Sequence, residues 1–319
     1  MSEVLPVRYR SPDEDSARWS DFPFRPGDIV ISTRSKSGTT WMQMICALLV
    51  LQRPELPEPL GRLSPWLDWL GIPRDEVYSR LEAQTHRRII KTHTPLDGVV
   101  IDRRATYIVV GRHPLDMAVS LYHHSANIDR ARLRQLTGQP EPATPAPAPP
   151  PLHDWLLRWI EADVAPSAQL DSLPGVARHA TDAWGRRHQP NVVLVHYDDL
   201  VADCESAMHR LAGRLGISVP SEAWPALVRA AGFDEMRARA ALTAPDPDDI
   251  LVDHSRFFRR GSSGDGRAAL SGVEYRRYRD RLSHLAPPDV VAWLHHEALG
   301  DADDEGPGDG PASGREEWP

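Results

Sequence analysis

The chain of 319 residues is 41% hydrophobic and 26% charged, which is enough for one large α/β domain with a full core. Its formal charge of −8 is concentrated between Asp301 and Pro319, where seven acidic residues meet one arginine; the body is near −2, which excludes a general nucleic-acid binder but permits a local basic pocket. Two cysteines, Cys46 and Cys204, exclude a disulfide framework and lack metal-ligand spacing, and the longest apolar run, Trp41 to Leu51, is broken by Gln43 and too short to span a bilayer.

Four β-branched runs are predicted strands: Ile29 to Thr33, Arg88 to Thr92, Thr106 to Gly111 and Val192 to Tyr197. Each is apolar without alternation, as in a parallel sheet covered on both faces. Helical patterns cover Thr39 to Gln52, Pro114 to Ser125, Leu152 to Glu161, Gly175 to His188, Glu205 to Leu215, Ser221 to Ala231 and Asp289 to Ala298, with Ser221 and Asp289 as expected N-caps. Strands alternating with helices imply an α/β fold, a single-domain parallel sheet with helices on both faces and ligands at the strand C-terminal ends. Residues 1–300 are expected to form this domain. The Pro/Ala-rich stretch 139–151 reads as an extended insertion, and 301–319 as a disordered acidic tail. With no basic-then-apolar leader at Met1, a cytoplasmic protein is the expectation.

Among 37 basic residues only Lys36 and Lys91 are lysines, and each sits just after a β-branched run, near the end of a predicted strand. Arginine everywhere else makes a compact ammonium at two strand-to-loop junctions informative. Lys36 opens Lys36-Ser37-Gly38-Thr39-Thr40-Trp41, a hydroxyl-rich turn at a helix N-terminus, where backbone N–H groups bind phosphate and Gly38 permits close approach. The lysine precedes the glycine, so this is not the G-x-x-x-x-G-K-[ST] loop of P-loop kinases. Taken alone, the stretch is also compatible with an ordinary Ser/Gly turn and a solvated lysine.

With three further elements in order, the chain resembles the cytosolic-type sulfotransferase family, whose donor is 3′-phosphoadenosine 5′-phosphosulfate (PAPS), over roughly residues 28 to 267. The first element looks like that family's 5′-phosphosulfate loop. The resemblance implies a P-loop-like fold in which Lys36 assists the leaving phosphate, Ser37, Gly38, Thr39 and Thr40 hold the 5′-phosphate, and Trp41 lies against the adenine. The second element, Lys91-Thr92-His93, ends a strand; imidazole, titrating near pH ~6.5, can take a hydroxyl proton, and the family places its general base at this histidine, with Lys91 beside the sulfuryl oxygens. The third, Arg112 to Ser120 around Pro114, implies that Arg112 and Ser120 meet the donor's 3′-phosphate and that Ser120 holds Lys36 away until acceptor binds. In the fourth, Phe257 to Asp265, the basic loop of Arg259, Arg260 and Gly261 implies a clamp on the 3′-phosphate; Tyr197 matches a position near the adenine.

Two departures stand out. Gly266, Arg267, Ser271, Gly272 and Arg276 replace the family's usual dimer element, which leaves the oligomeric state open, and of Ala231-Gly232-Phe233 only Phe233 matches the adenine side. The expected reaction is in-line transfer of a sulfuryl group from PAPS to a hydroxyl of a small-molecule acceptor, an alcohol or phenol, with no metal and no nucleic-acid partner. A P-loop-type nucleotide kinase or hydrolase, and a non-catalytic nucleotide-binding protein, are the alternatives. Trp66, Trp69, Tyr78, His123, His124, Trp155 and Trp159 are the candidate acceptor residues, although core packing explains tryptophans at helical spacing equally well. The arginine bias points to a GC-rich bacterial genome.

Overall fold

The computed structural model describes residues 6–143, 148–246 and 248–298; the expected acidic tail and the centre of the proline-rich stretch, 144–147, lie outside the described residues. Four parallel strands, β1 Ile29–Ser32, β2 Ile89–Thr92, β3 Thr106–Gly111 and β4 Val192–His196, form one sheet in the order β2-β1-β3-β4. Each strand is buried nearly throughout, because alternate side chains enter cores on opposite faces. Ile29, Ile31, Ile108 and Val110 pack with helix α1, Thr39–Leu51, and with Cys204–Leu215 and Trp224–Ala231. Val30, Ile90, Tyr107 and Val109 pack on the other face with Trp19, Phe22, Phe24 and Leu67.

The strand order decides where a ligand goes. The chain leaves β1 for β2 on one side and then crosses to β3 on the other, so the loop after β1 opens at the reversal point of the sheet. Register then aligns the functional ends. Ser32 pairs with Thr92, and Gly111 pairs with His196, which puts His93 beside the β1 loop and Arg112 beside Tyr197.

Several sequence expectations move. Tyr197 is the first residue of a short helix, Tyr197–Ala202, instead of the end of β4, because His196 caps it by accepting from Asp198 N. The helix expected from Ser221 starts at Trp224 with Ala223 as N-cap and Pro225 in its first turn; the one expected from Asp289 starts at Pro288, with Asp289 inside it accepting from Trp184 Nε1 at 2.5 Å. The helix expected over Gly175 to His188 runs Leu173–Gly185, capped by Ser172. Gln52 lies outside α1 as its left-handed C-cap (φ 52°). Helices Arg74–Ala83, Arg130–Thr137 and Gly272–Leu285 carry too many charges for an apolar stripe to announce them, and tertiary contacts hold them. The altered dimer element has a local explanation here. Ser271 and Glu274 form a capping box for Gly272–Leu285, and a Cβ at Gly266 would meet Leu115 backbone atoms within 2.4–2.6 Å, leaving no room for a large residue.

Candidate active site

A cavity of about 370 Å³ opens at the strand C-terminal ends. It is lined by Lys36, Gly38, Thr39, Thr40, Trp41, Lys91, His93, Arg112, Ser120, Tyr197, Arg259, Arg260 and Gly261, so five separate stretches of sequence converge. Ser37 is the exception. It is buried behind the loop, its N–H donates to Arg34 O at 3.1 Å, and it lines a separate small void with Val110 and His179.

The loop after β1 is shaped by two left-handed residues, Lys36 at φ 63° and Gly38 at φ 100°. Gly38 is required: a Cβ there would lie 2.9 Å from Tyr197 Cδ2. The first-turn N–H groups of α1 have no intrahelical carbonyl to meet, and Gly38, Thr39, Thr40 and Trp41 line the cavity. Thr39 Oγ1 is already engaged by Thr33 Oγ1, so Thr40 brings the freer hydroxyl. Arg112 Nη1 donates to Lys36 O at 2.7 Å and fixes the loop from the β3 side, while its guanidinium lies 4.1 Å from the Tyr197 ring centroid. Its Nε is buried and has no protein partner among the described residues.

Lys36 Nζ rests 3.6 Å from the Phe257 ring centroid, and the expected contact with Ser120 is not formed among the described residues, although Ser120 does line the cavity. Burial, with help from Arg112, Lys91 and Arg259, pulls the Lys36 ammonium down to about 7. Lys91 Nζ lies 4.1 Å from the Trp66 ring centroid, and burial brings it to about 8. An anion between these groups would restore the charge that burial opposes.

His93 Nδ1 is 2.6 Å from Thr33 O, and since a carbonyl only accepts, Nδ1 carries the proton and Nε2 keeps its lone pair. Burial first, then Lys91 and Arg34, hold this imidazole well below its usual range, so it stays neutral. The Trp66 ring meets it edge-on at 4.7 Å. Arg34, donating to His93 O and pairing with Asp171 at 2.7 Å, braces the same turn; the sequence reading passed over it as one arginine among many.

The Phe257-to-Asp265 loop reaches the cavity from the far end. Arg259 and Arg260 both pair with Asp265, the latter at 2.7 Å, and Asp116 accepts from Gly264 N and Gly266 N at 2.9 and 2.7 Å. The loop is thus tethered to the Pro114–Ser125 helix with its guanidinium groups held by an internal carboxylate. Gly261, at φ 67°, faces Phe233, and Trp41 Nε1 donates to Ala231 O at 2.9 Å while its ring meets Tyr197 at 5.5 Å. These aromatic groups wall the side where an adenine is expected.

The acceptor candidates divide. Trp66, Trp69 and His124 line the cavity. Tyr78 does not: it packs edge-on against Phe22 and donates to Arg18 O at 2.5 Å. Trp159 is core, donating to Asp171 O, Trp155 packs on Tyr122, and His123 is exposed. Asp13, Gln43 and Asp248, which belong to no motif, also line the cavity. Glu14 is buried near Lys91, and burial raises it to about 8.

An anion cradle at a sheet reversal point, two buried lysine side chains and a neutral imidazole suit a group-transfer enzyme of the P-loop-like α/β class. Comparison with known proteins gives the family. Residues 26–282 match the sulfotransferase domain. The chain is 42% identical over 307 residues to a glycolipid sulfotransferase of Mycobacterium bovis, covering 91% of this chain and 94% of that one. It is 28% identical over 271 residues to sulfotransferase 2B1 of Mus musculus, covering 82% and 72%. The fold is shared with mouse sulfotransferase SULT7A1 complexed with PAP, at a TM-score of 0.63 and 20% identity, covering 88% and 91%. The chain belongs to the sulfotransferase family, and that membership decides against the kinase alternative. No helix among the described residues is long and apolar enough to cross a membrane.

Proposed function

We propose that this protein, through one domain of residues 1–300, transfers the sulfuryl group of PAPS to a hydroxyl of a small amphiphilic acceptor, with His93 as general base. The observation that carries this reading is the fixed tautomer of His93, whose Nδ1 is committed to Thr33 O and whose Nε2 has no protein partner among the described residues, in a cavity shared with both lysines. The acceptor proton passes to Nε2 as the oxygen–sulfur bond forms, and the sulfur–oxygen bond to the 5′-phosphate breaks. Lys36 meets the charge on the departing phosphate oxygen, and Lys91 sits where it can face the transferring sulfuryl oxygens. Thr39, Thr40 and the α1 N-terminus hold the 5′-phosphate. Arg112, Ser120, Arg259 and Arg260 form the 3′-phosphate end, with Trp41 and Tyr197 beside the base. The protein contributes positioning and charge, and no metal enters the scheme.

The glycolipid activity in the mycobacterial relative's name, together with the apolar cavity wall, supports an acceptor carrying both a hydroxyl group and a hydrocarbon part. Lys36→Ala and His93→Ala are each expected to lower kcat by about 100-fold or more with the melting transition retained, measured with labelled PAPS and a panel of hydroxylated compounds. Near-normal turnover in either variant refutes the mechanism. Binding of adenosine 3′,5′-bisphosphate with no transfer to any acceptor would instead favour a non-catalytic nucleotide-binding protein.

A further inference from the structure

Arg34 joins segments that the transfer step must align. It lies in the loop after β1 and is buried. Its carbonyl accepts from Ser37 N at 3.1 Å, inside the donor loop. Its side chain reaches the other way: Nη1 donates to His93 O, and Nη2 donates to Asp171 Oδ1 at 2.7 Å. The same Oδ1 accepts from Ser35 N at 3.3 Å, next to Lys36. Asp171 is itself fixed, because its carbonyl accepts from Trp159 Nε1 at 2.8 Å and Ser172 after it caps the helix Leu173–Gly185. One guanidinium and one carboxylate therefore tie the turn that carries His93 to the loop that carries Lys36, and Asp171 lines the cavity those two residues share.

A lysine in this place could not make both bonds, because a point-charge ammonium lacks the planar fork. The charge matters as well as the fork. His93 is faced by Lys91 on β2, by Arg34 and by His179 on the helix Leu173–Gly185, all of which oppose a proton on it, and by the ring of Trp66. Arg34 in turn is faced by Asp171, by the buried Glu14 and by His179. We propose that Arg34 is a positioning residue for sulfuryl transfer, holding His93 and the Lys36 loop in one alignment, and that Asp171 keeps its guanidinium in place. This rests on the sulfuryl-transfer reading above and adds two residues to it.

The test follows turnover of labelled PAPS with 1-octanol or p-cresol, and titrates the His93 imidazole by NMR, its signals assigned by their loss in His93→Gln. Arg34→Lys should keep the titration midpoint within about 0.3 pH units but lower kcat about tenfold, because the charge stays and the fork is lost. Arg34→Gln should lower kcat at least as far and raise the midpoint by about one pH unit, since a like charge that opposes protonation is gone; the acid limb of kcat/KM should rise with it. Asp171→Asn should lower kcat about fivefold without raising the midpoint. Affinity for adenosine 3′,5′-bisphosphate should stay within about threefold in all three, because Arg112 also holds the loop through Lys36 O. An arginine needed only for stability would lower Tm and leave the His93 titration in place. An unmoved midpoint in Arg34→Gln, or kcat within about twofold of the unaltered enzyme in that variant, overturns the proposal. Should Arg34→Gln fail to fold, Arg34→Lys and Asp171→Asn decide, and near-normal kcat in both overturns it. If neither probe is turned over, the midpoint decides. Absent bisphosphate binding by the unaltered protein overturns the sulfuryl-transfer reading itself, while the titration still judges the hold of Arg34 on His93.

Discussion

Gly38→Ala tests the cradle most directly. Gly38 sits at φ 100°, where an L-residue costs ~1–2 kcal/mol. Its new Cβ would lie 2.9 Å from Tyr197 Cδ2 and 3.5 Å from Val110 Cγ1. Tyr197 is held in place by Arg112, 4.1 Å from its ring centroid, and by the edge of Trp41 at 5.5 Å, so relief requires several groups to move together. Overpacking of this kind costs ~1–3 kcal/mol. The sum is about 2–5 kcal/mol. If the loop keeps its shape the cost appears in stability, as a fall in Tm of roughly 3–8 °C in thermal denaturation. If the loop opens instead, the cost appears in binding, as a loss of about 30-fold or more in calorimetric affinity for adenosine 3′,5′-bisphosphate. Gly213→Ala is the control. Its Cβ would meet nothing within 4 Å inside the Cys204–Leu215 helix, and alanine there should stabilise by ~0.5–1 kcal/mol. A Gly38→Ala protein with Tm within 2 °C and affinity within twofold of the unaltered chain would refute the argument that this glycine shapes the anion site.

The donor site should also respond to pH with a defined sign. Lys36 is near 7 in the free protein, and a bound anion raises it, so affinity for the bisphosphate is full below pH 7 and falls as pH rises from 7 to 9. Titrations in buffers of different ionisation enthalpy should show proton uptake above pH 7, and Lys36→Met should lose most of it; a flat profile in the unaltered protein removes Lys36 from the site. Stability should hinge on the buried pair before β1 and β2. Asp28 receives Arg88 Nε at 2.8 Å and Nη2 at 2.5 Å, and also Arg25 N at 2.8 Å. Asp28→Ala leaves the guanidinium buried and uncompensated, and urea denaturation should register a loss of about 3–5 kcal/mol. A loss under ~1 kcal/mol would mean that the pair does not clamp the strand starts.

The chemistry-bearing residues were legible because their signals are local. Lys36 and Lys91 stand out by residue type, Gly38 and Pro114 by backbone requirement, and the four strands by β-branched runs that need no partner to be recognised. Strand ends at Thr92 and Gly111 placed His93 and Arg112 at the same sheet edge before any contact was known. Boundaries were less secure where a side chain outweighed propensity, as with His196 capping the turn that draws Tyr197 into a helix.

What only the tertiary structure decided depends on which distant segments meet. Nothing local distinguishes Trp66 and Trp69, which line the cavity, from Trp159, which donates to Asp171 O in the core. Asp265 holding Arg259 and Arg260, Thr33 O choosing the His93 tautomer, and Asp13, Gln43 and Asp248 lining one cavity are all contacts formed when the sheet brings loops together. A residue's type and its neighbours in sequence set what it is able to do. Its protonation, its free atoms and its exposure to a ligand are set by groups tens to hundreds of residues away, through burial and hydrogen bonding that exist only after folding.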